Sequence, residues 1–231
     1  MHTYIISFLI VSLLGNTADR ISDIKSKQTL DLNHAFTFEK DSVNELPHGW
    51  KNISGEWKVT DDEENKVISQ VAPKPKSYCN IAIIDTLQEK NIRISARMKF
   101  TGGKKERGGG IVWRYQDTKN YYLLWINPFN NCITEYRIKN GHRVELPIYG
   151  RTRLPDVPFK IALHKWYQIE LQVIEDEYIF FIDGKELFRE TDKAFTKEGY
   201  VGIWTKADAQ TYFDNIEVQP LLFKVRTDNS E

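Results

Sequence analysis

Motifs that commonly announce chemistry are missing from this chain. Its only cysteines are Cys79 and Cys132, and these, with five scattered histidines, give none of the close spacings of a zinc site. No Gly-x-Ser-x-Gly elbow is present, and no phosphate-binding loop. The 32 basic residues balance the 32 acidic ones, so nothing electrostatic favours a nucleic-acid partner. Beyond residue 18 no ten-residue stretch carries helical periodicity, which leaves strands to build the fold. The two cysteines could form one disulfide in an oxidising compartment or stay as two buried thiols, and their spacing does not choose.

Long apolar runs are also scarce. The single candidate, YIISFLIVSLL at residues 4–14, is short for a bilayer span. Small residues and then a polar stretch follow it, the pattern of a secretory signal with cleavage expected after Ala18. The expected location is therefore secreted or periplasmic. The segment before the run carries little positive charge, so an uncleaved membrane anchor is the alternative. No cysteine follows the run, which argues against a lipid anchor. Residues 19–35 read as a flexible polar segment, and residues 220–231 as a tail.

What the chain has in quantity is strand signal. IAIID, RISARMKF, GIVWRY, YYLLWIN, CITEYRI, WYQIELQVI, YIFFIDG, YVGIW and TYFDNIEVQ are short runs rich in β-branched and aromatic residues, separated by turn formers. In WYQIELQVI the set Tyr167, Ile169, Leu171 and Val173 falls on one face. Asp183-Gly184 and Asn140-Gly141 each lie between two such runs and predict tight hairpins. PIYGRTRLPDVPF, at 147–159, holds three prolines and cannot be a central strand. The glycine-rich GGKKERGGG precedes a strand rather than a helix and reads as a flexible connector with its charges in solvent. The expected fold is an all-β antiparallel two-sheet sandwich.

Alternation also assigns faces. Taking Ile111, Trp113 and Tyr115 as core places Val112 and Arg114 opposite; taking Tyr122, Leu124 and Ile126 as core places Tyr121, Leu123 and Trp125 opposite. One consistent continuation gathers Arg114, Trp125, Glu135, Arg137 and Trp204 on the outer, concave face of one sheet. Indoles stack on sugar rings, while guanidinium and carboxylate groups bond their hydroxyls, so this set is the candidate carbohydrate site. The bland alternative is that the arginines pair with Glu135, and a one-residue slip would reverse the faces. Glycoside hydrolysis uses two carboxylates roughly 5 to 9.5 Å apart. The acidic runs TDDEEN (60–65) and EDEY (175–178) instead read as solvated turns.

The order LPHGWKNISGEWKV, GGGIVWRYQDTKNYYLLW, WYQIELQV, FFIDGKELF and GYVGIWTKADAQTYFDNIEV resembles the concanavalin A-like lectin/glucanase superfamily. Within it the chain is similar to laminin-G-like domains of exported bacterial proteins, near the 3-keto-disaccharide hydrolase family. The resemblance covers residues 36–219 and implies a jelly-roll. The laminarinase-type enzymes of that superfamily carry a Glu-x-Asp-x-Glu strand, and this chain has none. It also implies a structural Ca²⁺ held by Asp214 of the closing FDN strand with Glu39 or Asp41 of FTFEKDS, a donor set of the oxygen type calcium prefers. The function it implies is glycan binding by an exported module. A glycoside-processing hydrolase of the 3-keto-disaccharide type and a laminin-G-like protein-binding module are the alternatives.

Overall fold

A computed structural model describes residues 33–71, 79–146 and 156–221, the side chain of Asp156 excepted. The apolar run, the cleavage expected after Ala18, the segment to residue 32, most of the proline-rich loop and the tail beyond Leu221 lie outside them. The described residues form strands and turns, without a helix. In chain order the strands are β1 (His34–Phe36), β2 (Trp50–Ser54), β3 (Trp57–Asp62), β4 (Asn65–Gln70), β5 (Cys79–Glu89), β6 (Ile92–Gly102), β7 (Gly109–Asp117) and β8 (Asn120–Asn127). They continue as β9 (Cys132–Lys139), β10 (His142–Glu145), β11 (Asp156–Pro158), β12 (Trp166–Ile174), β13 (Glu177–Ile182), β14 (Lys185–Thr191), β15 (Gly199–Lys206) and β16 (Gln210–Pro220).

Two antiparallel eight-stranded sheets result. The first runs β14-β13-β12-β6-β16-β4-β3, with β1 added to β16; the second runs β10-β9-β8-β7-β15-β5-β2, with β11 added to β9. The strand order mixes near and distant segments, so sequence neighbours close hairpins while β6–β16 and β5–β15 tie the chain ends together. Asp183-Gly184 and Asn140-Gly141 both have positive φ at both positions, which is what the primed two-residue turn requires. Pro158 ends β11, a short strand at the sheet's margin, where a missing N–H costs no ladder bond.

The main core fills the space between the sheets. Tyr167, Ile169, Leu171 and Val173 of β12 enter it as their alternation predicts, alongside Ile94, Ala96, Met98 and Phe100 of β6. From the second sheet come Ala82, Ile84, Ile111, Trp113, Tyr122, Leu124, Ile133 and Ile203. Trp113 stacks on Tyr122 at 5.4 Å and meets Tyr178 edge-on, linking the two sheets through aromatic contacts. Cys79 is half-buried and Cys132 is buried.

Candidate functional site

Strands whose alternate residues fill the main core must send the others away from it. On the second sheet those others are also apolar: Ile81, Ile83, Val112, Leu123, Trp125, Tyr136, Ile138 and Trp204 form a second cluster. A polar outer face would be the ordinary result for an antiparallel sheet. Here the outer face instead holds a cavity of about 310 Å³, floored by Leu123, Ile138, Trp125, Trp204 and Tyr136. Trp125 meets Trp204 edge-on at 6.2 Å and lies tilted to Tyr136 at 6.0 Å.

The glycines before β7 explain why two indoles fit there. Gly110 pairs with Trp204 across β7 and β15. With no side chain on Gly110, the Trp204 indole crosses β7, and its Nε1–H donates to the Leu124 carbonyl of β8 at 2.8 Å. A Cβ at Gly110 would stand 2.1 Å from that same carbonyl oxygen. Gly108 does the like for Trp125, since a Cβ there would stand 2.0 Å from its Nε1. The need at both positions is space, not unusual φ. The connector preceding them is also anchored: the Asp208 carboxylate accepts the backbone N–H groups of Lys104, Lys105 and Glu106, each within 3.1 Å.

Two cations border the cavity, and among the described residues no carboxylate lines it. The Lys206 ammonium lies 4.2 Å from the Trp125 ring centroid and pairs with Glu106 at 3.3 Å. The Arg143 guanidinium lies 4.7 Å over Tyr136, whose hydroxyl is 3.3 Å from Glu145. Cys79 completes the lining; burial raises its thiol pKa, while Lys206 and Arg143 pull against that rise. The described lining residues thus include none of the paired carboxylates that glycoside hydrolysis ordinarily uses.

The predicted site residues divide. Trp125 and Trp204 sit together in the cavity, 9% and 2% exposed. Arg114, Glu135 and Arg137 do not join them. Arg114 has φ +46 at a β-bulge, where the register shifts between Trp113 and Asp117. The bulge reverses the alternation: Tyr115 turns out towards Tyr121, and Arg114, 2% exposed, turns in. There it bonds the carbonyls of Phe195, Glu175 and Lys90 and the Tyr178 hydroxyl, clamping turns at one end of the sandwich. Gly199 lies against the bulge, and a Cβ there would stand 2.6 Å from the Arg114 backbone.

Glu135 and Arg137 are displaced by register instead. Glu135 pairs with Leu124 and Arg137 with Tyr122, both inward-facing residues, so the polar set of β9 points inside. Arg137 forms an ion pair with Asp192, which also accepts from the Tyr122 hydroxyl at 2.5 Å. Glu135 is fully buried, and neither of its oxygens has a hydrogen-bond partner. Burial first, then the nearby Glu190 and Asp192, hold its pKa well above the usual carboxylate range. Hydropathy places such residues outside. Placing Glu135 and Arg137 outside puts Tyr136 inside by alternation, whereas Tyr136 lines the cavity. Lys206 and Arg143 were missed too, because isolated charges near strand ends carry no pattern.

Among the candidate calcium ligands, Asp214 and Glu39 are near enough to repel. Their oxygens are nonetheless largely engaged by protein donors. The main-chain carbonyls of Glu39 and Asp41 accept from the Lys66 ammonium at 3.1 and 2.8 Å. Glu39 Oε1 accepts from the Lys66 N–H, Asp41 Oδ1 from the His48 N–H, and Asp214 Oδ2 from Asn65. Only Asp214 Oδ1 is a buried oxygen of this set with no hydrogen-bond partner. No group of three or more His, Cys, Asp or Glu side chains is placed to hold a metal among the described residues. As they stand, these residues do not fit the six to eight oxygens of a calcium cage.

Known structures share this architecture. Carbohydrate binding module CBM66 from Bacillus subtilis superposes with a TM-score of 0.60 at 18% identity, covering 74% of this chain and 96% of that one. Domain 4 of AbnA, a GH43 extracellular arabinanase from Geobacillus stearothermophilus solved with arabinotriose, gives 0.51 at 12% identity, covering 80% and 89%. A Bacillus subtilis protein with a galectin-like fold gives 0.52 at 10% identity, covering 76% and 90%. At these identities the likeness is one of fold. No functionally curated protein matches the chain. Residues 56–221, most of the sandwich, match the family described as galactocerebrosidase, C-terminal lectin domain. The chain belongs to that lectin-domain family.

Proposed function

We propose that this domain binds a glycan in the outer-face cavity of its second sheet, as an exported module. The observation that carries the reading is the cup of Trp125, Trp204 and Tyr136 around a 310 Å³ space. Aromatic residues bury well in a core, and a sheet's second face has no packing need for three of them. An aromatic wall is what the apolar face of a sugar ring uses, and this volume lies at the small end of ligand pockets, suited to a terminal sugar rather than a long chain segment. Membership of a lectin-domain family and the CBM66-like fold support the same reading. The apolar run at residues 4–14 supports export.

A glycan-array screen of the protein tests this. Binding should concentrate on one class of terminal sugar and weaken in Trp125→Ala by about 1–3 kcal/mol, the range for stacking on an aromatic side chain. Because Trp125 lies at the cavity and not in the main core, circular dichroism of the variant should stay native-like. Silence of the folded protein across the array would remove the glycan reading.

A further inference from the structure

The polar atoms around the cavity differ from those a neutral sugar needs. A hydroxyl both donates and accepts, so sites for neutral sugars offer acceptors as well as donors. Here the lining is weighted towards donors. The Trp204 N–H is committed to the Leu124 carbonyl. The Tyr136 hydroxyl is engaged with Glu145. The charged groups at the lining are the guanidinium of Arg143 and the ammonium of Lys206, which donate and cannot accept.

The two cations are also held in place. Stacking on Tyr136 fixes Arg143, and stacking on Trp125 with pairing to Glu106 fixes Lys206. Lys206 is largely buried, with 17% of its side chain exposed, so its charge is poorly screened by solvent. Arg143 is exposed and lies over the Tyr136 ring. An acidic group entering the cavity would therefore meet one cation that forms no ion pair among the described residues and a second whose counterion, Glu106, stands outside the lining.

Building on the glycan reading above, we infer that the cavity selects a terminal sugar bearing an anionic group, a carboxylate or a sulfate, with Arg143 and Lys206 receiving the charge while Trp125 and Tyr136 wall the ring. An anion accepts hydrogen bonds at every lone pair, which matches two cationic donors at one cavity. A planar guanidinium holds a carboxylate or a sulfate through two parallel bonds, and the ammonium acts as a point charge beside it.

The test is a binding series on matched probes: galactose, galacturonate and galactose 6-sulfate as terminal units, measured at low and high sodium chloride. The expected result is tighter binding of one or both acidic forms than of galactose, weakening as salt rises. The carboxylate and sulfate arms separate the two sources of charge. Arg143→Gln and Lys206→Gln should each weaken the acidic probe by about 10- to 100-fold, the value of a charge-assisted bond, and weaken galactose less, so that the preference for the acidic probe narrows. Arg143→Gln is the cleaner variant, since its exposed position makes misfolding unimportant. Equal, salt-independent binding of acidic and neutral probes would overturn the charge inference and leave the glycan reading standing. Binding of none of these sugars, alongside a silent array, would overturn both.

Discussion

The two sheets each turn one face away from the core, and the two faces partner their charges and rings differently. On the first sheet, Trp166, Lys99 and Tyr212 form a row across β12, β6 and β16. The Trp166 ring is covered by Arg97 at 4.6 Å and Lys99 at 4.9 Å, and Lys99 pairs with Asp62 at 2.5 Å. Arg97 stands 3.9 Å from Asp214, and Arg93 bonds Glu170 at 2.6 Å. Charges there cancel in pairs, and the aromatic rings lie under cations. On the second sheet Trp125 and Tyr136 also lie under cations, Lys206 and Arg143, but there the aromatics pack on one another around an open space, and among the described residues no acid lines it. The difference is instructive because both faces contain tryptophan and basic residues. Composition does not mark a binding face; the arrangement of partners does.

Removing a tryptophan from each face should break this symmetry of composition most sharply. Trp204→Ala deletes a large, 2%-exposed side chain that spans β7 and donates to β8, so it should lower stability by about 3–5 kcal/mol and abolish ligand binding. Chemical denaturation at equilibrium measures the first effect. Trp166→Ala removes only a half-exposed ring beneath two cations, and should cost about 1 kcal/mol with glycan binding untouched. A loss of binding in Trp166→Ala would move the functional face to the first sheet.

The sandwich was legible in the sequence wherever alternation ran unbroken. WYQIELQVI and YYLLWIN each place their residues as period two demands, and both Asx-Gly turns declare themselves by composition. The site was legible only in part. Trp125 and Trp204 follow from alternation within β8 and β15, but Arg114 required knowledge of a bulge. A single residue at positive φ inverts everything after it, and nothing in GIVWRYQD announces which residue that is. Glu135 and Arg137 misled for a different reason. Their partner Asp192 and the neighbouring Glu190 arrive from β14 and the turn after it, more than fifty residues on, so the buried polar cluster exists only once the two sheets have packed.

The smallest effect expected is none, and it also separates the faces. A calcium site at Glu39, Asp41 and Asp214 would tie the outer face of the first sheet to a divalent ion. Lys66 already donates to the carbonyls of Glu39 and Asp41, and an ammonium placed between two carbonyl oxygens neutralises the field a calcium ion would use. Saturating calcium at about 100 times its Kd would stabilise the fold by about 2.7 kcal/mol, or roughly 5–11 °C in Tm for a domain of this size. Thermal melts in excess calcium and in excess chelator should instead coincide. Lys66→Met, which strands both carbonyls, should lower Tm under both conditions. A drop of several degrees on chelation in the unaltered protein would mean that the lysine yields its place to an ion, and that the charge pairing of the first sheet's outer face is completed by calcium. Coincident melts would leave that face closed by its own side chains, with the aromatic cavity of the second sheet as the surface left for a ligand.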